Sequence, residues 1–160
     1  MKINLERDFS ILASELNKKL KIIPLMYGSL GLEHITSIKL KHSDIDILIP
    51  KIFINERWND LKKIVESLGY RLEDIREHEF SNDRVRIAFS DIEELEAFVG
   101  IKEQDIMEKE INQIKYKVLS LEQYEMVYKK SIKDGYRIQM RNKKDQEKLD
   151  LINRLMKKSN

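Results

Sequence analysis

A chain of 160 residues with 41% apolar and 36% charged side chains has material for one core and is too apolar for a disordered segment. Cysteine is absent, which excludes a disulfide framework and any thiolate metal site. No apolar run approaches bilayer-spanning length, and residues 1–20 lack a signal peptide's apolar block, so the expectation is a cytoplasmic protein without a membrane partner.

In chain order, Leu5, Phe9, Leu12, Leu16 and Leu20 recur at helical spacing and predict an amphipathic first helix. Ile22 to Tyr27 is a short apolar run containing Pro24 and closed by Gly28, the pattern of a buried strand. Gly28-Ser29 starts a turn, Leu30 to Ile35 forms a short helix, and Asp44–Ile49 is a second strand stopped by Pro50. Asn55 is the expected N-cap of a helix whose Trp58, Leu61, Val65 and Leu68 share one face, and Gly69 ends it. Three strands are expected next, at about 70–76, 84–89 and 94–101, divided by Ser81-Asn82-Asp83 and Ser90-Asp91 as turn chemistry. After a charged stretch come a strand from Ile114 to Leu119, a helix opened by a Ser120/Gln123 capping box, and a last helix from about Asn142 that buries Leu149, Ile152 and Met156. No internal repeat or linker interrupts the chain. The expectation is one domain over 1–160, of α+β or α/β class, with its core at about 20–119 and C-terminal helices at about 120–158.

Charge divides along the same line. Residues 115–160 carry 13 Lys and Arg against 6 Asp and Glu, while residues 1–114 carry 17 against 22. An acidic body and a basic tail suit a site that handles a metal and a phosphate, although solvated Lys-rich helix faces produce the same count.

The chemistry concentrates in YGSLGLEHITSIKLKHSDIDILI, residues 27–49. Aspartate is disfavoured in strands, yet two stand one residue apart in an apolar run. Alternation puts Asp44, Asp46 and Leu48 on one face and leaves Ile45, Ile47 and Ile49 to the core. Two adjacent carboxylates suit magnesium, which takes few carboxylates and completes its shell with water and substrate phosphates. Gly28-Ser29 offers a bare backbone at a helix N-terminus, where a phosphate can approach closely. Other constellations are weaker. His34, His42 and His78 lack zinc-site spacing, and His42 reads as an exposed loop histidine or a phosphate contact. Tyr116, Tyr124, Tyr128 and Tyr136 suit core packing or, beside the C-terminal lysines, base stacking.

A Gly-Ser turn after a strand, followed by an apolar-Asp-apolar-Asp-apolar strand, resembles the nucleotidyltransferase superfamily of DNA polymerase β type, and most of all its small bacterial members. The resemblance implies an α+β nucleotidyltransferase fold, a mixed sheet flanked by helices with a helical C-terminal extension. It implies a metal-dependent enzyme that moves a nucleoside monophosphate from an NTP to an acceptor hydroxyl. In that family Gly28 and Ser29 would hold the triphosphate, and Asp44 and Asp46 would bind Mg²⁺ or Mn²⁺. A third carboxylate on a later strand would complete the metal site and activate the acceptor. Glu96 is the first candidate, with Glu94 and Asp91 also open. Lys129 and Lys144 would contact the substrate phosphates or the partner. The acceptor is left open among small molecules, proteins and RNA. The rival is a catalytically inactive module of the same fold, serving in a toxin–antitoxin or other protein or RNA complex. A third carboxylate that fails to approach Asp44 and Asp46 would favour that rival.

Overall fold

The computed structural model describes residues 4–42, 44–133 and 139–159, with 139–143 and 159 as backbone. Helix α1 (Leu5–Leu20) opens where Asn4 Oδ1 accepts the Arg7 amide at 3.1 Å and stops at Lys21, whose backbone is left-handed. Strand β1 (Leu25–Tyr27) runs directly into helix α2 (Gly28–Thr36), and strand β2 (Asp44–Ile49) follows. After helix α3 (Trp58–Ser67) come strands β3 (Arg71–Asp74), β4 (Glu79–Ser81) and β5 (Arg86–Asp91). Helix α4 (Glu94–Val99), strands β6 (Met107–Ile111) and β7 (Ile114–Val118), and helices α5 (Leu121–Lys133) and α6 (Gln139–Ser159) complete the described chain.

The strands form one seven-stranded mixed sheet in the order β3-β4-β5-β2-β1-β7-β6. Strand β2 is antiparallel to β1 and parallel to β5, and β1 is parallel to β7. Each face carries its own core. Ile45, Ile47 and Ile49 of β2 pack with Phe9, Leu12 and Leu16 of α1 and Leu61 and Val65 of α3. On the other face Leu25 and Leu48 pack with Leu95 of α4, Tyr124 and Val127 of α5, and Leu149 and Ile152 of α6. Each fully buried aliphatic side chain of this kind contributes roughly 1.5–3 kcal/mol. No helix among the described residues is long and apolar enough to cross a membrane.

Most expected elements are present, and four expectations need correction. Residues 94–99 are helical, not extended. Asp91 Oδ1 accepts the Glu94 amide at 2.9 Å, Ile92 and Leu95 both face the core, and Gly100 ends the turn at φ 76°. The alternating acids of EELEA (93–97) are exposed helix positions, and only Leu95 of α4 is buried. Strand β4 was not expected because it has three residues, and β6 because it is exposed on both sides and carries no apolar alternation. Asn55 does not cap α3. The chain turns continuously from Lys51 to Arg57, with the Arg57 amide on Ile52 O at 2.7 Å, and enters the helix without a side-chain cap. The Ser120/Gln123 capping box is formed as expected, with both reciprocal bonds made.

Candidate active site

The site grows out of the β1–α2 junction. Tyr27 is extended and Gly28 is left-handed at φ 62°, so one residue turns a buried strand into a helix. That conformation favours glycine, and space demands it as well. A Cβ at Gly28 would fall inside the van der Waals shell of Asp46 Oδ2. Tyr27 is the register partner of Asp46 across β1 and β2, which sets the turn against the carboxylate. Gly28, Ser29 and Asp46 are thus brought together, and the helix N-terminus they share leaves amides available to an anion. Asp44 lies two residues earlier on the same face, exposed where Asp46 is half-buried.

The loop before β2 is fastened to α2. Glu33 accepts the Leu40 amide with Oε1 at 3.0 Å, and its Oε2 lies 3.1 Å from His42 Nε2. His42 Nδ1 lies 3.4 Å from the Asp44 carbonyl, and the side chain is only 9% exposed. His42 therefore orders the approach to Asp44, correcting its reading as an exposed loop histidine. His34 bridges Glu6 and the Tyr116 hydroxyl, at 2.9 and 3.1 Å, and His78 packs edge-on against Trp58.

The stretch expected as the strand that carries the third carboxylate is helix α4 instead. Strand β5 runs beside β2 in parallel register, pairing Asp44 with Arg86, Asp46 with Ala88 and Ile49 with Asp91. Asp91 is therefore level with the far end of β2, about 16 Å along the strand from Asp44. Glu94 and Glu96 follow it on α4, exposed. Among the described residues no group of three or more His, Asp or Glu side chains is gathered closely enough to hold a metal ion. On the site face β5 presents a cation and a methyl group. Arg86 Nη1 donates to Glu79 Oε2 of β4 at 2.9 Å.

The C-terminal helices reach the site through aromatic rings. Tyr124 is fully buried and donates its hydroxyl to the Gly28 carbonyl at 3.1 Å. Its ring lies near-parallel to those of Tyr27 and Tyr128, with centroids 6.3 and 5.9 Å away. Burial above all, then Tyr128, Tyr27 and Asp46, pushes the Tyr124 phenol well above its usual range, so it remains a donor. Burial, then Tyr27, Asp145 and Asp46, raises Tyr128 likewise. Tyr116, Tyr124 and Tyr128 are core residues, not stacking platforms, and Tyr136 lies outside the described residues. Lys129 points to Glu125 at 3.6 Å on its own helix, and Lys144 is exposed on α6. Spacing alone did not single out Lys148, one turn after Lys144, which stands 5.4 Å over the Tyr128 ring. Ser131 donates to buried Asp145 and ties α5 to α6.

No family model matches the sequence. The chain is 42% identical over 155 residues to YnaI, an uncharacterized protein of Bacillus subtilis (strain 168), across 97% of this chain and 99% of that one. Among solved structures it is similar to ANT(2″)-Ia in complex with adenylyl-2″-tobramycin, with a TM-score of 0.63 and 15% identity over 96% of this chain and 90% of that chain. It is also similar to the lincosamide antibiotic adenylyltransferase LnuA with lincomycin bound, with a TM-score of 0.56 and 15% identity over 95% of this chain and 99% of that chain. The likenesses to the two solved structures show the fold: the sheet and its helices are arranged as in these nucleotidyltransferases.

Proposed function

Because the chain belongs to the family of Bacillus subtilis YnaI and has the nucleotidyltransferase fold, we propose that it transfers a nucleoside monophosphate from an NTP to an acceptor hydroxyl and releases pyrophosphate. The observation that carries the reading is the contact between Gly28 and Asp46, which sets a bare helix N-terminus against a carboxylate strand. A triphosphate approaching that N-terminus meets the amides of the Gly28–Ser29 turn and the positive end of α2. The donor set fits one hard cation. Such ions are held by one or two carboxylates with the remaining positions left to water and phosphate oxygens, and Asp44 and Asp46 supply the two. A bound Mg²⁺ or Mn²⁺ would neutralise charge on the phosphates as they separate. Lys144 and Lys148, one helical turn apart on α6, add positive charge on the side of the tyrosine stack. The chain's own contribution is to hold and orient the triphosphate, the main task in phosphoryl transfer. The acceptor is a hydroxyl compound, whether small molecule, protein or RNA.

Arg86 and Ala88, in register with Asp44 and Asp46, favour a second reading: a nucleotide-binding module of the same fold without transfer. One experiment separates the two. The protein is incubated with each α-labelled nucleoside triphosphate, Mg²⁺ or Mn²⁺, and a panel of aminoglycosides, lincosamides, RNAs and proteins. Labelled acceptor with stoichiometric pyrophosphate is the expected result. Cation-dependent nucleotide binding without a labelled product would establish the module, and no nucleotide binding at millimolar concentration would overturn both.

A further inference from the structure

We propose that Tyr124 is the positioning residue of the phosphate turn, a role that rests on the nucleotide-binding reading above. The Gly28 carbonyl and the Ser29 N–H belong to one planar peptide and point in opposite directions. A donor that grips the carbonyl from inside the protein therefore aims the N–H outward, off the end of α2. The Tyr124 hydroxyl is that donor, at 3.1 Å, and Gly28 sits in a left-handed conformation that a glycine leaves easily.

The second glycine of Gly-Ser-Leu-Gly belongs to the same device. A Cβ at Gly31 would collide with the Tyr124 hydroxyl and with the Met26 carbonyl, so Gly31 is the space through which the phenol reaches the turn. The motif's two glycines serve two close approaches, Asp46 to Gly28 and Tyr124 to Gly31. The ring itself has little freedom, because it is fully buried and near-parallel to both Tyr27 and Tyr128. Through Tyr128, Lys148 and the Ser131–Asp145 bond, the α5–α6 pair thus fixes the aim of an amide in the N-terminal quarter of the chain.

The test is Tyr124→Phe, which removes one oxygen and keeps the stack, beside Tyr70→Phe as the control that loses a phenol from the core on the opposite face of the sheet. In Tyr124→Phe the ¹⁵N order parameters of Ser29 and Leu30 should fall from about 0.85 toward 0.6, with α1 and β5 unchanged. The affinity for Mg²⁺·ATP should weaken roughly 5–20-fold, an ordinary range for one lost hydrogen bond. The Tyr70 control should move neither readout at the turn. Rigid residues 28–31 in Tyr124→Phe, or a loosening spread evenly over the sheet, would reduce Tyr124 to a packing residue and overturn the proposal. Loosening confined to the turn with unchanged Mg²⁺·ATP affinity would also overturn it. A parent protein that does not bind Mg²⁺·ATP would break the functional reading instead, and the order parameters would still decide whether the hydroxyl holds the turn.

Discussion

Strands β2 and β5 lie side by side in parallel register, six residues each, and differ mainly on one face; on the other only the last pair, Ile49 and Asp91, is unlike in polarity. Toward α1 and α3 they present the same surface, Ile45, Ile47 and Ile49 beside Ile87 and Phe89, all buried in one core. Toward the site, β2 shows Asp44, Asp46 and Leu48, whereas β5 shows Arg86, Ala88 and Ser90. Packing dictates the first face, so its residues are nearly interchangeable between the strands. The second face is only partly covered: Leu48 packs in the core shared with α4, α5 and α6, whereas Asp44, Asp46, Arg86 and Ala88 stay exposed or half-buried, and there the two strands diverge. A strand can thus satisfy every rule of the core while its outer positions decide whether it holds a cation, as proposed for β2, or pairs with its neighbour through Arg86 and Glu79.

The sharpest way to break the comparison is to remove the charge that separates the strands. Asp46→Asn keeps the shape, and transfer should fall at least 100-fold, in the range of losing a principal electrostatic contact in an active site. Same-face carboxylates about 7 Å apart repel by on the order of 1–2 kcal/mol, so the ligand-free mutant should melt at the parent's temperature or above it. The rise in melting temperature on adding Mn²⁺ and a triphosphate should vanish, because it comes from ligand bound to the native state. A lower ligand-free melting temperature with an intact ligand response would make Asp46 a structural residue.

Gly28→Ala should be next in size. It forces a side chain into a left-handed conformation and against Asp46, costing about 1–3 kcal/mol in a denaturant titration and abolishing calorimetric nucleotide binding. Unchanged affinity would count against the phosphate role of the turn.

Ala88→Asp makes β5 more like β2 by setting a carboxylate in register with Asp46. Mn²⁺ affinity in a titration should rise about tenfold, and the metal-free protein should lose about 1 kcal/mol to like-charge repulsion. No gain in affinity would mean that the two strands do not share one ion. Arg86→Ala is the smallest. An exposed pair contributes little, and a shift above about 0.5 kcal/mol in thermal melts would show that the Arg86–Glu79 bond matters structurally.

The β1–α2–β2 unit was readable from sequence because its signals are local: a glycine at a turn, and aspartates alternating with isoleucines. The stretch at 94–99 was not, because six residues of Glu-Leu-Glu fit either period and tertiary packing chose the helix. Its usable signal was Asp91 three residues before Glu94, a helix start that was read as a turn. Strand β6 hid because neither of its faces is covered. Asn112 and Gln113, both left-handed, are the hairpin turn that marked it. Placing the third carboxylate on a strand at 94–101 depended on that same misread stretch. The hydroxyl of Tyr124 could not be assigned from spacing at all, since its partner is 96 residues away.

That separation has a consequence for how the molecule comes to exist. Strand β1 is an interior strand of the sheet, with β2 on one side and β7 on the other. At the usual pace of protein synthesis, about 5–20 residues per second, the interval between the last residue of β2 and the last of β7 is roughly 3–14 s. For that time the nascent chain carries an apolar interior strand as a bare edge, open to pairing with another chain. The Gly28–Ser29 turn is made early, and Tyr124, which bonds its carbonyl, is among the later residues to leave the ribosome. A ribosome stalled before residue 114 would hold out a chain whose site is already drawn but not yet held.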